Sequence, residues 1–325
     1  MLSVQQIYDI GLKLAIDSDP RGKKFVAAEL QRNKKQYERI TADEKQYFDK
    51  EYLTNPYSDS RILHLSKKAK AVKRVMAGID ADESELLLAD RLGNIDLVIS
   101  HHPEGIALAD LPDVMKVQVE IMHQAGVPVH VAENLLSSRI AEVNRGVLPI
   151  NDHKAVDIAR LLDISYLAAH TFTDNLAAMF MEDLMQKNSK KIFYVGDVLE
   201  TLMTVPEYQE AKRRKSGPSI YVGNPSRIAG RIAATEFTGG TNGAKEMFEQ
   251  LSRAGVGTII GMHMREEHRK VAEQHHMNVV IAGHISSDSV GMNLYLDEIE
   301  KRGVEVIPVG GLLRVKRFKS KSSKR

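Results

Sequence analysis

Between Asp96 and Gly105 the chain reads "DLVISHHPEG". Leu97, Val98 and Ile99 form an apolar run that stops at Ser100; His101 and His102 follow, and Pro103 then turns the chain away. A short apolar run bounded by turn residues fits a buried strand. In open α/β sheets, ligands collect beyond the carboxyl ends of the strands. A strand tip carrying two imidazoles is therefore a reason to look for others like it, and two occur. "SYLAA" ends in His170 with Asp174 four residues on, and "VVIAG" ends in His284 with Asp288 four residues on.

Outward from that strand, helical and extended patterns alternate. "VKRVMAGID" reads as a strand, "DESELLLADRLG" and "LPDVMKVQVEIMHQAG" as helices, "VPVHVA" as a strand and "DHKAVDIARLLD" as a helix. "DNLAAMFMEDLMQKN" reads as a helix with Asp174 as its N-cap. A stretch dense in Gly, Pro and charge, beginning with the strand-like "KIFYVG", interrupts the rhythm. Beyond it "GRIAATEF", "VGTIIGM", "MNVVIAG", "VEVIPV" and "LLRVKRF" read as strands, with helical segments between most of them. Strands alternating with helices of this length predict an α/β fold with largely parallel sheet. The expected organisation is a helical segment over 1–52, a first α/β lobe over 53–190, a connecting segment over 191–228, a second lobe over 229–317 and a disordered basic tail over 318–325.

Composition removes several function classes. Of 325 residues, 43% are apolar and 27% charged, as in an ordinary globular protein. The net charge of +2 is close to neutral, and the Lys-rich end "RVKRFKSKSSKR" supplies most of the basic bias. Nucleic acid is accordingly the weakest partner class. No apolar run reaches membrane-spanning length and the N-terminus lacks the layout of a secretory signal, so no membrane partner is expected and the expected compartment is the cytoplasm. Without a single Cys there is no disulfide, no thiolate metal site and no thiol nucleophile. Any metal must be held by His, Asp and Glu.

The three His-tipped strands suit that chemistry. A strand end fixes the backbone, and a carboxylate four residues further on folds back towards the same point if a helix starts at the His. Neutral imidazole combined with carboxylate suits Zn, Mn or Fe. Neighbouring His101 and His102 can each serve one of two adjacent divalent ions. His130 and Glu133, after "VPVHVA", and His263, after "TIIGM", are reserve candidates. His275-His276 closes an amphipathic helix, and His64, His123, His153 and His268 have surface or packing roles. "GGTNG", residues 239–243, reads as a tight strand-to-helix turn; its amides could alternatively cradle a phosphate.

With these residues in place, the chain resembles the NGG-interacting-factor proteins, also known as type 2 GTP cyclohydrolase I homologues. The likeness rests on "DLVISHHPEG", "AAHTFTDN" and "VVIAGHISSDSVG", supported by "AVKRVMAGIDA" and "FTGGTNG", and spans roughly residues 50–316. It implies two α/β lobes with mixed, largely parallel sheets and a dinuclear metal site in the cleft between them. It also implies a ring-like homo-oligomer, such as a hexamer. The metal ligands it implies here are His101, His102, Asp174, His284 and Asp288. Asp288 stands where the family usually has Glu, and His130, Glu133 or Asn134 competes for the place given to Asp174. The function expected is a dinuclear metal-dependent hydrolase, cyclohydrolase-like, acting on a nucleotide or another phosphate-containing small molecule. His170 and His263 are its expected proton-carrying catalytic residues. The alternative is a non-catalytic, metal-stabilised binding or regulatory protein.

Overall fold

The structure, a computed structural model, describes residues 2–68 and 71–318. Apart from Phe318, the expected basic tail lies outside these residues. The strands are β1 (Ser60–His64), β2 (Arg74–Gly78), β3 (Leu97–Ser100), β4 (Ser165–Ala169), β5 (Ser219–Val222), β6 (Arg231–Glu236), β7 (Val256–Gly261), β8 (Asn278–Ile281) and β9 (Glu305–Val309). They build two mixed, largely parallel sheets, ordered β1-β4-β3-β2-β9 and β5-β8-β7-β6. The antiparallel pairs are β1 with β4 and β5 with β8. β3, β4 and β8 are buried along their whole length, which explains their continuous apolar character.

Two long helices leave these strands directly. His170–Asn188 follows β4, and His284–Glu300 follows β8 after the bend at Ala282-Gly283. They pack against each other so closely that a Cβ at Gly291 would overlap the carbonyl oxygen of Thr173. The helix Val4–Asp17 opens with a capping box between Ser3 and Gln6. It buries Val4, Ile7, Tyr8 and Ala15 in the same core as β2, β3 and β4. Tyr295 donates a hydrogen bond to the Ile7 carbonyl at 2.9 Å, tying this helix to the His284 helix.

Several expectations are corrected. "VPVHVA" is the start of a helix, Val129–Val147, whose buried Ala132, Leu136 and Arg139 recur at helical spacing. "KIFYVG" holds no strand: Asp197 accepts from the N–H groups of Phe193 and Tyr194 and starts a helix at Val195. "LLRVKRF" is irregular, because its arginines are pinned by side chains rather than by a ladder. Arg314 binds Asp297 at 2.6 Å and also Glu300; Arg317 binds Glu207 through both terminal nitrogens, at 2.6 and 2.8 Å. β9, read with the second lobe, pairs in parallel with β2 and so belongs to the first sheet. Asp174 is not an N-cap. Its helix begins at His170, which puts Asp174 in the second turn on the same face as His170.

Candidate metal centre

The ends of β3, β4 and β8 deliver their histidines to one point. Ring centroids lie 5.1 Å apart for His101 and His102, 4.9 Å for His101 and His170, and 5.1 Å for His102 and His284. Asp174 and Asp288 rise from the second turns of the two long helices into the same space, both buried. His101 Nε2 stands 3.6 Å from Asp174 Oδ1 and 3.5 Å from Asp288 Oδ1. The other oxygen, Asp288 Oδ2, stands 3.5 Å from His284 Nε2 and 3.7 Å from His102 Nε2. His170 Nε2 lies 3.8 Å from Asp174 Oδ2. His263, in the turn after β7, packs edge-on against His284 with centroids 4.6 Å apart. His130, Glu133 and Asn134 instead lie on the exposed side of the helix Val129–Val147.

The outer nitrogens of three of these rings are committed elsewhere. His102 Nδ1 donates to Asp80 at 2.6 Å, and His170 Nδ1 to Asp59 at 2.7 Å. His101 Nδ1 donates to Thr173 Oγ1 at 2.8 Å, because the Thr173 hydroxyl proton goes to the Ala169 carbonyl. The partners thus assign the tautomer in each case. When these imidazoles are neutral, each turns a bare Nε2 lone pair inward, where it meets carboxylate oxygens. Asp174 Oδ1 and both oxygens of Asp288 have no hydrogen-bond partner, although they are buried. With neutral rings, His101 and His102 face the Asp288 oxygens acceptor to acceptor, at 3.5 and 3.7 Å without a donor, an arrangement that asks for a cation. Two ligands about 2.1 Å from a tetrahedral ion would themselves stand about 3.4 Å apart. Outer partners that fix the tautomer are the usual second layer of a His-bound metal. The buried groups therefore fit a metal ion, in two overlapping sets: His101, His170 and Asp174; and His101, His102 and Asp288.

The electrostatics follow from burial and proximity. Burial pushes His101 down to about 4 and keeps it neutral. For Asp288 burial acts upward, but His101, then His284 and His102, outweigh it and bring the carboxyl down to about 2. Burial drives Asp174 well above the usual carboxylate range. His170 reaches about 9, because Asp174 and Asp59 overcome the burial that would lower it. Burial lowers His284, and burial together with His284 takes His263 down to about 4.

Four contributors escaped the sequence reading. Asp80 lies just past the end of β2 and was open to the same strand-end rule that found the histidines. Asp59 was not: β1 runs antiparallel, so the start of β1, not its end, lies at this edge, with Ser60 opposite Ala169. Thr173 is a hydroxyl within a helix and carries no signal of its own. Glu236, the last residue of β6, lines the other wall of the cleft beside Thr238, Gly240 and Asn242. The space directly over the cluster is about 30 Å³, enough for one or two water molecules.

No family model matches the sequence, and no curated protein does. Among solved structures, a NIF3 superfamily protein from Sphaerobacter thermophilus is 27% identical. It superposes with a TM-score of 0.74 over 96% of this chain and 99% of its own. Reduced HcgD from Methanocaldococcus jannaschii is 13% identical, with a TM-score of 0.48 over 77% of this chain and 88% of its own. A protein of unknown function, YbgI, is 15% identical, with a TM-score of 0.44 over 76% and 87%. No helix of the described residues is long and apolar enough to cross a membrane.

Proposed function

Because the chain belongs to the NIF3 superfamily and gathers its His-tipped strands around one cleft, we propose that it is a metal-dependent hydrolase with two divalent cations. The observation that carries the reading is the set of unpartnered, buried oxygens of Asp174 and Asp288 facing inward-turned Nε2 atoms. In this reading His101, His102, His284, Asp174 and Asp288 would together hold the two ions. The mixed imidazole and carboxylate donors suit Zn, Mn or Fe. Asp288 would reach both halves of this set even with its short side chain, because its oxygens face different histidines. Bound there, the ions would supply Lewis acidity, polarising an electrophilic carbon or phosphorus and lowering the pKa of a water.

The remaining roles belong to the chain itself. Asp59, Asp80 and Thr173 hold their imidazoles in one tautomer and one orientation. His170 and His263 flank the pair and carry protons to and from the reacting atoms. The narrow space above the cluster admits only the reacting group, so the body of the substrate extends towards the cleft mouth. The substrate class is a small phosphate-containing molecule, with a nucleotide first among candidates, and the assembly is a homo-oligomer.

The test is metal content and hydrolysis measured on one preparation. Wild type should hold two equivalents after reconstitution, and His101→Ala and His284→Ala should each hold fewer. Wild type should also hydrolyse GTP or an aryl phosphate, and a chelator should stop it while the circular dichroism stays folded. Wild type that takes up no metal, or that is inert with both ions bound, would sink the reading.

A further inference from the structure

The second wall of the cleft carries a titratable group with no part in the cluster. Glu236 ends β6, an edge strand of the second sheet. Its Oε2 accepts from Asn242 Nδ2 at 3.1 Å, and the Gly243 N–H also points at the carboxyl. The loop that provides these donors, "TGGTNG", is braced from outside. Gln118 Nε2 donates to the carbonyls of Gly239 and Thr241, both at 2.6 Å. Arg139 Nε donates to that of Asn242 at 3.0 Å, and His268 Nε2 to that of Gly243 at 3.0 Å. Gly239 and Gly240 take φ values of +89° and +80°, a region that suits glycine. The braced loop fixes where the Glu236 carboxyl sits and leaves it facing the cavity.

The charged and titratable neighbours from the packed elements are few. Arg139, from the helix Val129–Val147, acts from behind the loop and is itself paired with Glu142 at 2.9 Å. His268, from the helix Glu266–Gln274, is spent on Gly243, and His263 stands on the rim of the same cavity. Burial takes Glu236 up to about 7, while Asn242, Gly243 and Arg139 pull it down. A protonatable carboxyl fixed on the wall of a cleft, opposite the groups that would bind the reacting centre, is placed to give a proton to a leaving atom.

We propose that Glu236 is a general acid for the reaction in this cleft, donating its proton to the leaving oxygen or nitrogen of the substrate. The inference rests on the hydrolytic reading above. Water adds its hydroxyl to the electrophilic carbon or phosphorus, and the bond to the leaving atom breaks with its electron pair. Glu236 supplies the proton that the leaving atom takes, and the proton released by the water returns the carboxylate to its acid form. Gln at 236 keeps an oxygen for Asn242 and Gly243 to bind but has no proton to give, whereas Asp retains the acid with a shorter reach.

The experiment compares wild type, Glu236→Gln and Glu236→Asp, each reconstituted with Mn²⁺, on GTP, phenyl phosphate and p-nitrophenyl phosphate across pH. Glu236→Gln should lower kcat about 10²–10⁴-fold with metal content and circular dichroism unchanged. It should also lose the limb of the pH profile near neutrality, and Glu236→Asp should recover part of the rate. Phenyl phosphate should suffer more than p-nitrophenyl phosphate, because nitrophenolate leaves without needing a proton. Wild type inert on all three probes removes the hydrolytic reading, and this inference with it. An active wild type with Glu236→Gln within threefold of it overturns the role of Glu236 alone. Loss of metal or of folded signal in Glu236→Gln does the same, by making Glu236 a structural residue.

Discussion

The His284 helix serves two clusters of buried charge that are built on opposite principles. At its start, Asp288 and its neighbour Asp174 keep oxygens that no protein group satisfies. Towards its end, the carboxylates are saturated. Glu207 takes both terminal nitrogens of Arg317 and the amide of Asn293. Asp297 takes Arg314 and the Arg317 N–H, and Glu300 takes Arg314 and Lys316. Only Arg314 Nε is left over in this clasp. Burying a charge without partners is costly, so a chain that leaves such atoms bare is reserving them. The clasp is complete without a ligand; the cluster is not.

Three substitutions probe these regions and a fourth lies outside them, taken from the largest effect down. Gly291→Ala strikes the crossing on which both depend, because the new Cβ collides with the Thr173 backbone. It should cost about 3 kcal/mol or more and reduce bound metal, read from urea unfolding and elemental analysis. Glu207→Ala breaks only the clasp and leaves Arg317 short of its partner. We expect a loss of about 3 kcal/mol, with metal content equal to wild type. Equal metal loss in these two variants would show that the clasp and the cluster are not separable.

Asp174→Asn inverts the pattern. In chelator it should unfold at the wild-type urea midpoint or above it, since burial already opposes the charge that the substitution removes; the metal it binds should fall to one equivalent or less. A metal-free Asp174→Asn protein much weaker than wild type would mean that the carboxylate is structural after all.

The smallest effect lies outside both regions. Burial, then Glu83 and Asp82, raise Glu104 to about 7. Below about pH 4 this group is protonated in both the folded and the unfolded chain. As pH rises from there to about 7, the unfolded chain ionises first and stability falls, by about 1 kcal/mol or less because the side chain is partly exposed. Glu104→Gln should remove that fall in urea titrations run at about pH 4.5 and 7.5.

Much of the site was legible because strand ends and helix starts leave local marks. The histidines after β3, β4 and β8, and the two carboxylates at the following helical spacing, stand in the sequence at the distances that the geometry requires. Asp59 and Glu236 were hidden because their relation to the site depends on which strands neighbour one another and in which direction they run, which no window of sequence contains. The misread segments share a cause as well. "VPVHVA" and "LLRVKRF" have strand composition, yet tertiary contacts decide them: helical packing of Ala132 and Leu136 in the first, and arginines captured by distant carboxylates in the second.

The place of β9 bears on the order in which the molecule can be made. β2 finds one of its two neighbours in a strand whose Glu305 meets Arg74 across 231 positions of chain. The helix Val4–Asp17 leans on Tyr295, whose hydroxyl meets the Ile7 carbonyl across 288 positions. These elements therefore wait, with one sheet edge and an apolar helix face uncovered, until residues 295–309 have been synthesised. Such long-range closure is slow and exposes sticky surface meanwhile. Asp288 lies just ahead of that stretch, so a nascent chain cannot assemble the full ligand set until its second long helix has been made.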